Sequence, residues 1–219
     1  MQLAPLYPRL YPILKTIFPQ CLWTGNENLP EIALTFDDGP HPVHTPQLLQ
    51  VLEQYQIKAT FFWLGVNVEK FPEIAREVYR RGHAIGLHGY QHISFPTLNA
   101  IQLKESLEKT QEAITKACKI NGNLIKNVRP PNGLVMPETI NLLKQWDYRI
   151  IMWSVVPEDW VKPGVSLVKN RVLQQTRNGS IIVLHDGYHG GEDVASSVAE
   201  ILPKLIEKGY KFITIDPIK

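Results

Sequence analysis

Short apolar runs alternate with amphipathic helical stretches along almost the whole 219-residue chain, and that alternation limits the folds open to it. The runs are "EIALTF" (31–36), "KATFFWLG" (58–65), "HAIGLH" (83–88), "LIKNVR" (124–129), "YRIIMWSV" (148–155), "SIIVLH" (180–185) and "KFITID" (211–216), each apolar enough for a buried strand. Between them lie helical patterns. Residues 45–56 put Leu48, Leu49, Leu52 and Tyr55 on one face, and 68–82 ends on Gly82. The longest pattern is 98–118, and 137–146 opens on Pro137, which suits a first helical turn. Residues 166–179 offer Ser166 as N-cap and Gly179 as stop, and 193–209 contains Pro203 as a kink. Strand–helix alternation predicts a parallel sheet covered by helices, and seven such units predict a closed or partly open barrel. No repeat, low-complexity tract or long linker interrupts the pattern. The expectation is one α/β domain over 30–219, with residues 1–29 as a lead-in that packs on it.

Composition narrows the function classes. With 44% hydrophobic and 20% charged residues and a net charge of +2, the chain reads as globular and lacks the basic stripe of a nucleic-acid binder. Its two cysteines, Cys21 and Cys118, are too few for a disulfide framework and read as packed thiols. No segment reaches the roughly 18–20 apolar residues that span a bilayer. The amino terminus, "MQLAPLYPRLYPILKTIFPQCLWTG", has Pro5, Pro8, Pro12 and Pro19 and no unbroken apolar core or small-x-small cleavage site. It reads as a short amphipathic lead-in. The sharper alternative is contact with a membrane surface, since Leu and Tyr mix with Arg9 and Lys15. The lack of a recognisable signal tilts the compartment towards the cytoplasm, whereas a glycan substrate would place the chain outside.

In parallel α/β folds, sites lie at the carboxyl ends of strands. Asp37 and Asp38 follow the first strand, His88 ends the third, Arg129 the fourth and His185 the sixth, while Asp159 and Trp160 follow the fifth. "HGYQH" sets His88 and His92 four residues apart, a spacing that serves one metal ion or merely a solvated pair. Joined by Asp38 they make a two-histidine, one-carboxylate set that leaves positions open for water and substrate. Two adjacent buried carboxylates repel, and a cation on Asp38 with a guanidinium on Asp37 relieves that cost. Asp37 is then free to act as a base, with Arg129 holding it. His185 is a candidate general acid oriented by Asp159, while Asp186 reads as the cap of the next turn. Trp160 offers an aromatic wall, or ordinary packing.

These residues resemble the motifs of the polysaccharide deacetylases of carbohydrate esterase family 4. "TFDDGP" is similar to the first motif, "RGHAIGLHGYQH" to the second, "RPPNG" to the third, "WSVVPEDW" to the fourth and "IVLHD" to the fifth, over roughly residues 30–217. The resemblance implies a distorted (β/α) barrel of about seven parallel strands and metal-dependent hydrolysis of N-acetyl or O-acetyl groups on a glycan or oligosaccharide. It implies Asp38, His88 and His92 as ligands of a divalent metal, with Zn²⁺ the default and Co²⁺, Ni²⁺ or Mn²⁺ also fitting. It assigns Asp37 as base, Arg129 as its holder, and His185 as acid tuned by Asp159. Pro130, Pro131, Asn132 and Trp160 would border the substrate, Val183 and Leu184 would line the acetyl methyl pocket, and a backbone N–H near Asn132 would serve the oxyanion. Three positions depart from the pattern. Gly89 stands where a Ser or Thr is usual, which removes a hydroxyl that would brace the loop. Asn132 stands for an aromatic, and Val156 for the first Asp of the fourth motif. Two other readings stand beside this one: a metal-independent amidohydrolase acting on a small amide, which would lack the metal ligands present here, and a non-catalytic sugar-binding protein with a degenerate site, which the three departures keep open.

Overall fold

The computed structural model describes residues 5–218. The predicted strand runs all contribute, as β1 (Glu31–Asp37), β2 (Thr60–Trp63), β3 (Ala84–Leu87), β4 (Asn127–Val128), β5 (Arg149–Ile150), β6 (Ile181–His185) and β7 (Lys211–Phe212). Every pairing is parallel, in the order β5-β4-β3-β2-β1-β6, and β7 joins the amino-terminal end of β1. Past β5 the chain returns to the other edge, where Val155 bridges Ile182 and the Val183 N–H donates to Val155 O at 3.1 Å. The sheet thus curls into the distorted (β/α) barrel that the strand count predicts.

Several strands are shorter than their apolar runs. Pro130 lacks an N–H and ends β4 after two residues. Beyond β5, the Ile151 N–H still donates to Val128 O of β4, while the outer side of that segment is bridged by Leu22 of the lead-in. Eight helices are described: α1 (Tyr7–Ile17), α2 (His44–Gln54), α3 (Gly65–Lys70), α4 (Pro72–Arg80), α5 (Ala100–Cys118), α6 (Pro137–Gln145), α7 (Val165–Gln175) and α8 (Val194–Glu207). The single helix expected over 68–82 is two helices, because Pro72 lacks the N–H to continue α3 and instead opens α4. α5 starts on an Asn99–Gln102 capping box. α7 is capped by Gly164, at φ 89°, and not by Ser166. It ends at Gln175, and Gly179 lies in the later turn before β6. α8 runs through Pro203.

Strand alternation divides the interior into two faces. Leu34 and Phe36 of β1, with Phe61, Trp63 and Leu184, face the helices and join Leu48, Leu52, Leu202 and Leu205 in the main core. Ala33, Thr35 and Asp37 point the other way, into the barrel, where Ala33 meets Phe62, Ile151, Ile181 and Ile215. This face carries β1 from an apolar floor up to the carboxylates. The lead-in contributes Cys21 and Trp23 to the main core, and Lys15 pairs with Glu27. Both cysteines are free and buried, and burial pushes their thiols up to about 12 for Cys21 and about 11 for Cys118. Among the described residues no helix is long and apolar enough to cross a membrane.

Candidate active site

A cleft of about 570 Å³ opens at the carboxyl ends of the strands. Asp37, Asp38, His88, His92, Asn132, Trp160, Val183 and His185, all singled out in the sequence, line it. Leu64, Trp153, Tyr188 and His189 also line it, and the sequence reading passes over them. The carboxyl-end rule reaches all four, because Leu64 follows β2, Trp153 lies just past β5, and Tyr188 and His189 follow β6.

Asp38, His88 and His92 converge so that one ligand atom from each lies within 4.8 Å of the others. Asp38 Oδ1 is 3.4 Å from His88 Nε2 and 3.5 Å from His92 Nε2. That oxygen is buried and has no hydrogen-bond partner. His88 Nδ1 lies 2.7 Å from the Arg129 carbonyl oxygen, which only accepts, so Nδ1 carries a proton and Nε2 is the ring nitrogen turned towards Asp38. A lone pair facing a carboxylate oxygen is unfavourable unless a cation or proton lies between them. These residues therefore fit a divalent cation. Burial alone would raise the Asp38 carboxyl, but the contacts with His88 and the nearby His185 and His92 hold it below the usual carboxylate range.

The loop carrying His88 and His92 is tied down by backbone. The Gly65 and Val66 N–H groups at the start of α3 donate to Gly89 O and Tyr90 O, each at 3.0 Å. Gly89 adopts φ 85°, a left-handed conformation that glycine enters without strain. The hydroxyl expected at position 89 has a counterpart in Ser106 of α5, whose Oγ accepts the Tyr90 N–H at 2.9 Å.

Asp37 lies on the barrel-facing side of β1, in register with His185 of β6. Its Oδ1 accepts from Arg129 Nη1 at 2.7 Å, and Nη1 also donates to Thr35 Oγ1 at 2.7 Å. The guanidinium donates further to Ile151 O and Met152 O, and stands 4.2 Å from the Phe62 ring centroid. Arg129 is fully buried, and burial lowers its pKa while the Asp37 charge opposes that shift. The pair is a buried ion pair of fixed geometry.

His185 Nδ1 lies 2.8 Å from Asp159 Oδ1, and the His185 N–H donates to Asp159 Oδ2 at 2.7 Å. Asp159 thus fixes ring and backbone together. Burial would lower the imidazolium pKa, but Asp159, with help from Asp38 and Asp37, pushes it up to about 10. A raised histidine pKa stabilises the fold fully below the unfolded value near 6.5, and that contribution is lost as pH rises through about 10. The Trp160 ring meets His185 edge-on at 5.2 Å.

Some expectations are corrected by the geometry. Leu184 does not line the acetyl pocket with Val183. Adjacent residues of a strand face opposite sides, so Leu184 enters the main core while Val183 faces the cleft. Pro130 and Pro131 are buried and do not line the cleft; they shape the turn that presents Asn132 at φ 59°. The Asn132 amide donates to Ser94 Oγ at 2.8 Å. Asp186 does not cap a turn. It is fully buried, accepts from the Thr45 hydroxyl, and is pushed up to about 7 by burial and by the charges of Asp38 and Asp37. A Cβ on Gly39 would come within 2.5 Å of Asp186 Oδ1, so the glycine of "DDGP" is required for close approach.

The sequence model of the polysaccharide deacetylases matches residues 24–151, more than half of the chain. The chain belongs to the polysaccharide deacetylase family. It is 34% identical over 201 residues to a peptidoglycan-N-acetylglucosamine deacetylase of Bacillus cereus, covering 90% of this chain and 91% of that protein. Among solved structures it is similar to a peptidoglycan N-acetylglucosamine deacetylase in complex with a naphthalenyl N-hydroxybenzamide, with a TM-score of 0.86 and 32% identity, covering 91% of this chain and 92% of that one. A family 4 acetyl xylan esterase from Clostridium thermocellum in complex with a cobalt ion has a TM-score of 0.79 at 30% identity, covering 85% and 89%. This deacetylase is accordingly a hydrolase that removes acetyl groups from sugars, and its family uses a divalent metal.

Proposed function

We propose that this deacetylase cleaves the N-acetyl group of N-acetylglucosamine units in a glycan, with Asp37 as base, His185 as acid, and Zn²⁺ held by Asp38, His88 and His92. The observation that carries the metal assignment is the buried, unpartnered Asp38 Oδ1 facing two imidazole nitrogens. The substrate class follows the Bacillus cereus relative. Exposed Trp160 and Tyr188 at the cleft give sugar rings an aromatic platform.

Bound there, the cation supplies Lewis acidity towards the acetyl carbonyl and the attacking water. Asp37, oriented by Arg129, accepts a proton from that water. A backbone N–H near Asn132 donates to the oxyanion as the carbonyl carbon becomes tetrahedral. His185 gives its Nε2 proton to the leaving nitrogen, while its Nδ1–H stays donated to Asp159, which keeps the ring aimed. Val183 receives the acetyl methyl. The C–N bond breaks to give acetate and a free sugar amine.

The test is acetate release by the zinc-loaded protein from chitooligosaccharides and from peptidoglycan. Release from either supports the reading, and release from neither contradicts it. The acid role has a separate check. Asp159→Asn removes the charge that holds the His185 pKa up and leaves burial, which pulls it down. His185 must be protonated to act, so the alkaline limb of the kcat–pH profile should move to lower pH by roughly 1–3 pH units. An unmoved limb would remove His185 from the acid role.

A further inference from the structure

The amino-terminal helix reaches the site through one residue. Tyr7, the first residue of α1, is buried in a small cluster with Val156 and Val183, separate from the main core, with Trp153 and Tyr11 packed against it. Its hydroxyl donates to the Trp153 carbonyl oxygen at 3.0 Å, across 146 residues of sequence. Val183 and Trp153 both line the cleft. Tyr7 therefore stands behind the two apolar walls of the cleft without lining it. The Trp153 ring is held from another side as well, since a Cβ on Gly133 would come within 2.6 Å of it. Burial keeps the Tyr7 hydroxyl protonated and thus a donor. Val156 gives the ring an apolar seat, where a carboxylate would be left against an aromatic face.

We infer that Tyr7 is a positioning residue that sets the depth of the acyl pocket: its ring backs Val183 and its hydroxyl pins the Trp153 backbone. This rests on the deacetylase reading above, with the acetyl methyl against Val183. The lead-in is then a working part of the site, and acyl-chain selectivity is built partly from outside the barrel strands. A wall that yields by about one methylene changes discrimination by roughly 10- to 200-fold.

The test uses the full zinc-loaded chain and matched glucosamine oligosaccharides bearing N-acetyl or N-propionyl groups. The readout is the ratio of kcat/KM for the propionyl substrate over the acetyl substrate. Loss of general stability does not move this ratio. Tyr7→Leu should raise it about tenfold or more, while Tyr7→Phe, which keeps the ring and frees only the Trp153 carbonyl, should raise it by a smaller factor. Val156→Ala frees room beside the same ring and should raise the ratio in the same direction, which keeps the test open if Tyr7→Leu does not fold. An active starting protein whose ratio is unmoved in Tyr7→Leu or Val156→Ala would overturn this inference alone. A starting protein that releases neither acid would overturn the deacetylase reading and this inference with it.

Discussion

Asp37→Asn should lower kcat for acetate release by about 10²–10⁴, the usual worth of a positioned general base, while metal content stays unchanged. The reason is the division of labour between the two adjacent carboxylates. Asp38 Oδ1 lies 3.4 Å from His88 Nε2 and 3.5 Å from His92 Nε2, whereas Asp37 Oδ1 accepts from Arg129 and its Oδ2 stands back at 3.9 Å from His88 Nε2. An asparagine at 37 keeps the shape and a hydrogen-bonding oxygen but cannot accept the proton from water. Steady-state kinetics with metal analysis of the same sample checks both halves. Full activity in the variant would assign the base elsewhere. Loss of metal together with activity would mean that Asp37 belongs to the metal set.

Arg129→Met should destabilise the protein by about 3–5 kcal/mol, because it leaves the Asp37 charge buried without its partner. For a chain of this size that corresponds to a fall in Tm of roughly 6–20 °C. The side chain is fully buried, and its donors serve a carboxylate, a hydroxyl and two backbone carbonyls, so several acceptors lose their partner together. The double variant Arg129→Met/Asp37→Asn should recover part of the loss, since no charge then remains unpaired. Thermal unfolding of the single and double variants decides it. A double variant no more stable than Arg129→Met would mean that the guanidinium acts through packing and its backbone contacts, and not through the ion pair.

The strands are legible in the sequence because each apolar run is bounded by the residues that end it, as Gly39 and Pro40 end the run before "DD". The proposed metal set is legible because its residues follow strands and because the histidine spacing is local. What the sequence conceals is side-chain direction and long-range packing. Val183 and Leu184 look equivalent in "IVLH", yet the strand's two-residue period sends one to the cleft and the other to the core. Asp186 follows the candidate acid and resembles a turn cap, but its burial against Thr45 is set by a contact 141 residues away. The Ser106 brace and the Tyr7 hydroxyl are likewise contacts between distant segments, and no local pattern announces them. The split between α3 and α4 is within reach of the sequence, because Pro72 is a helix-starting residue inside a helical pattern.

The most direct test of the central claim is acetate release from N-acetylglucosamine oligosaccharides before chelation, after chelation, and after return of Zn²⁺ or Co²⁺. The account predicts that chelator abolishes release, that either metal restores it, and that His88→Ala protein is not restored. Release that is indifferent to chelator would contradict it.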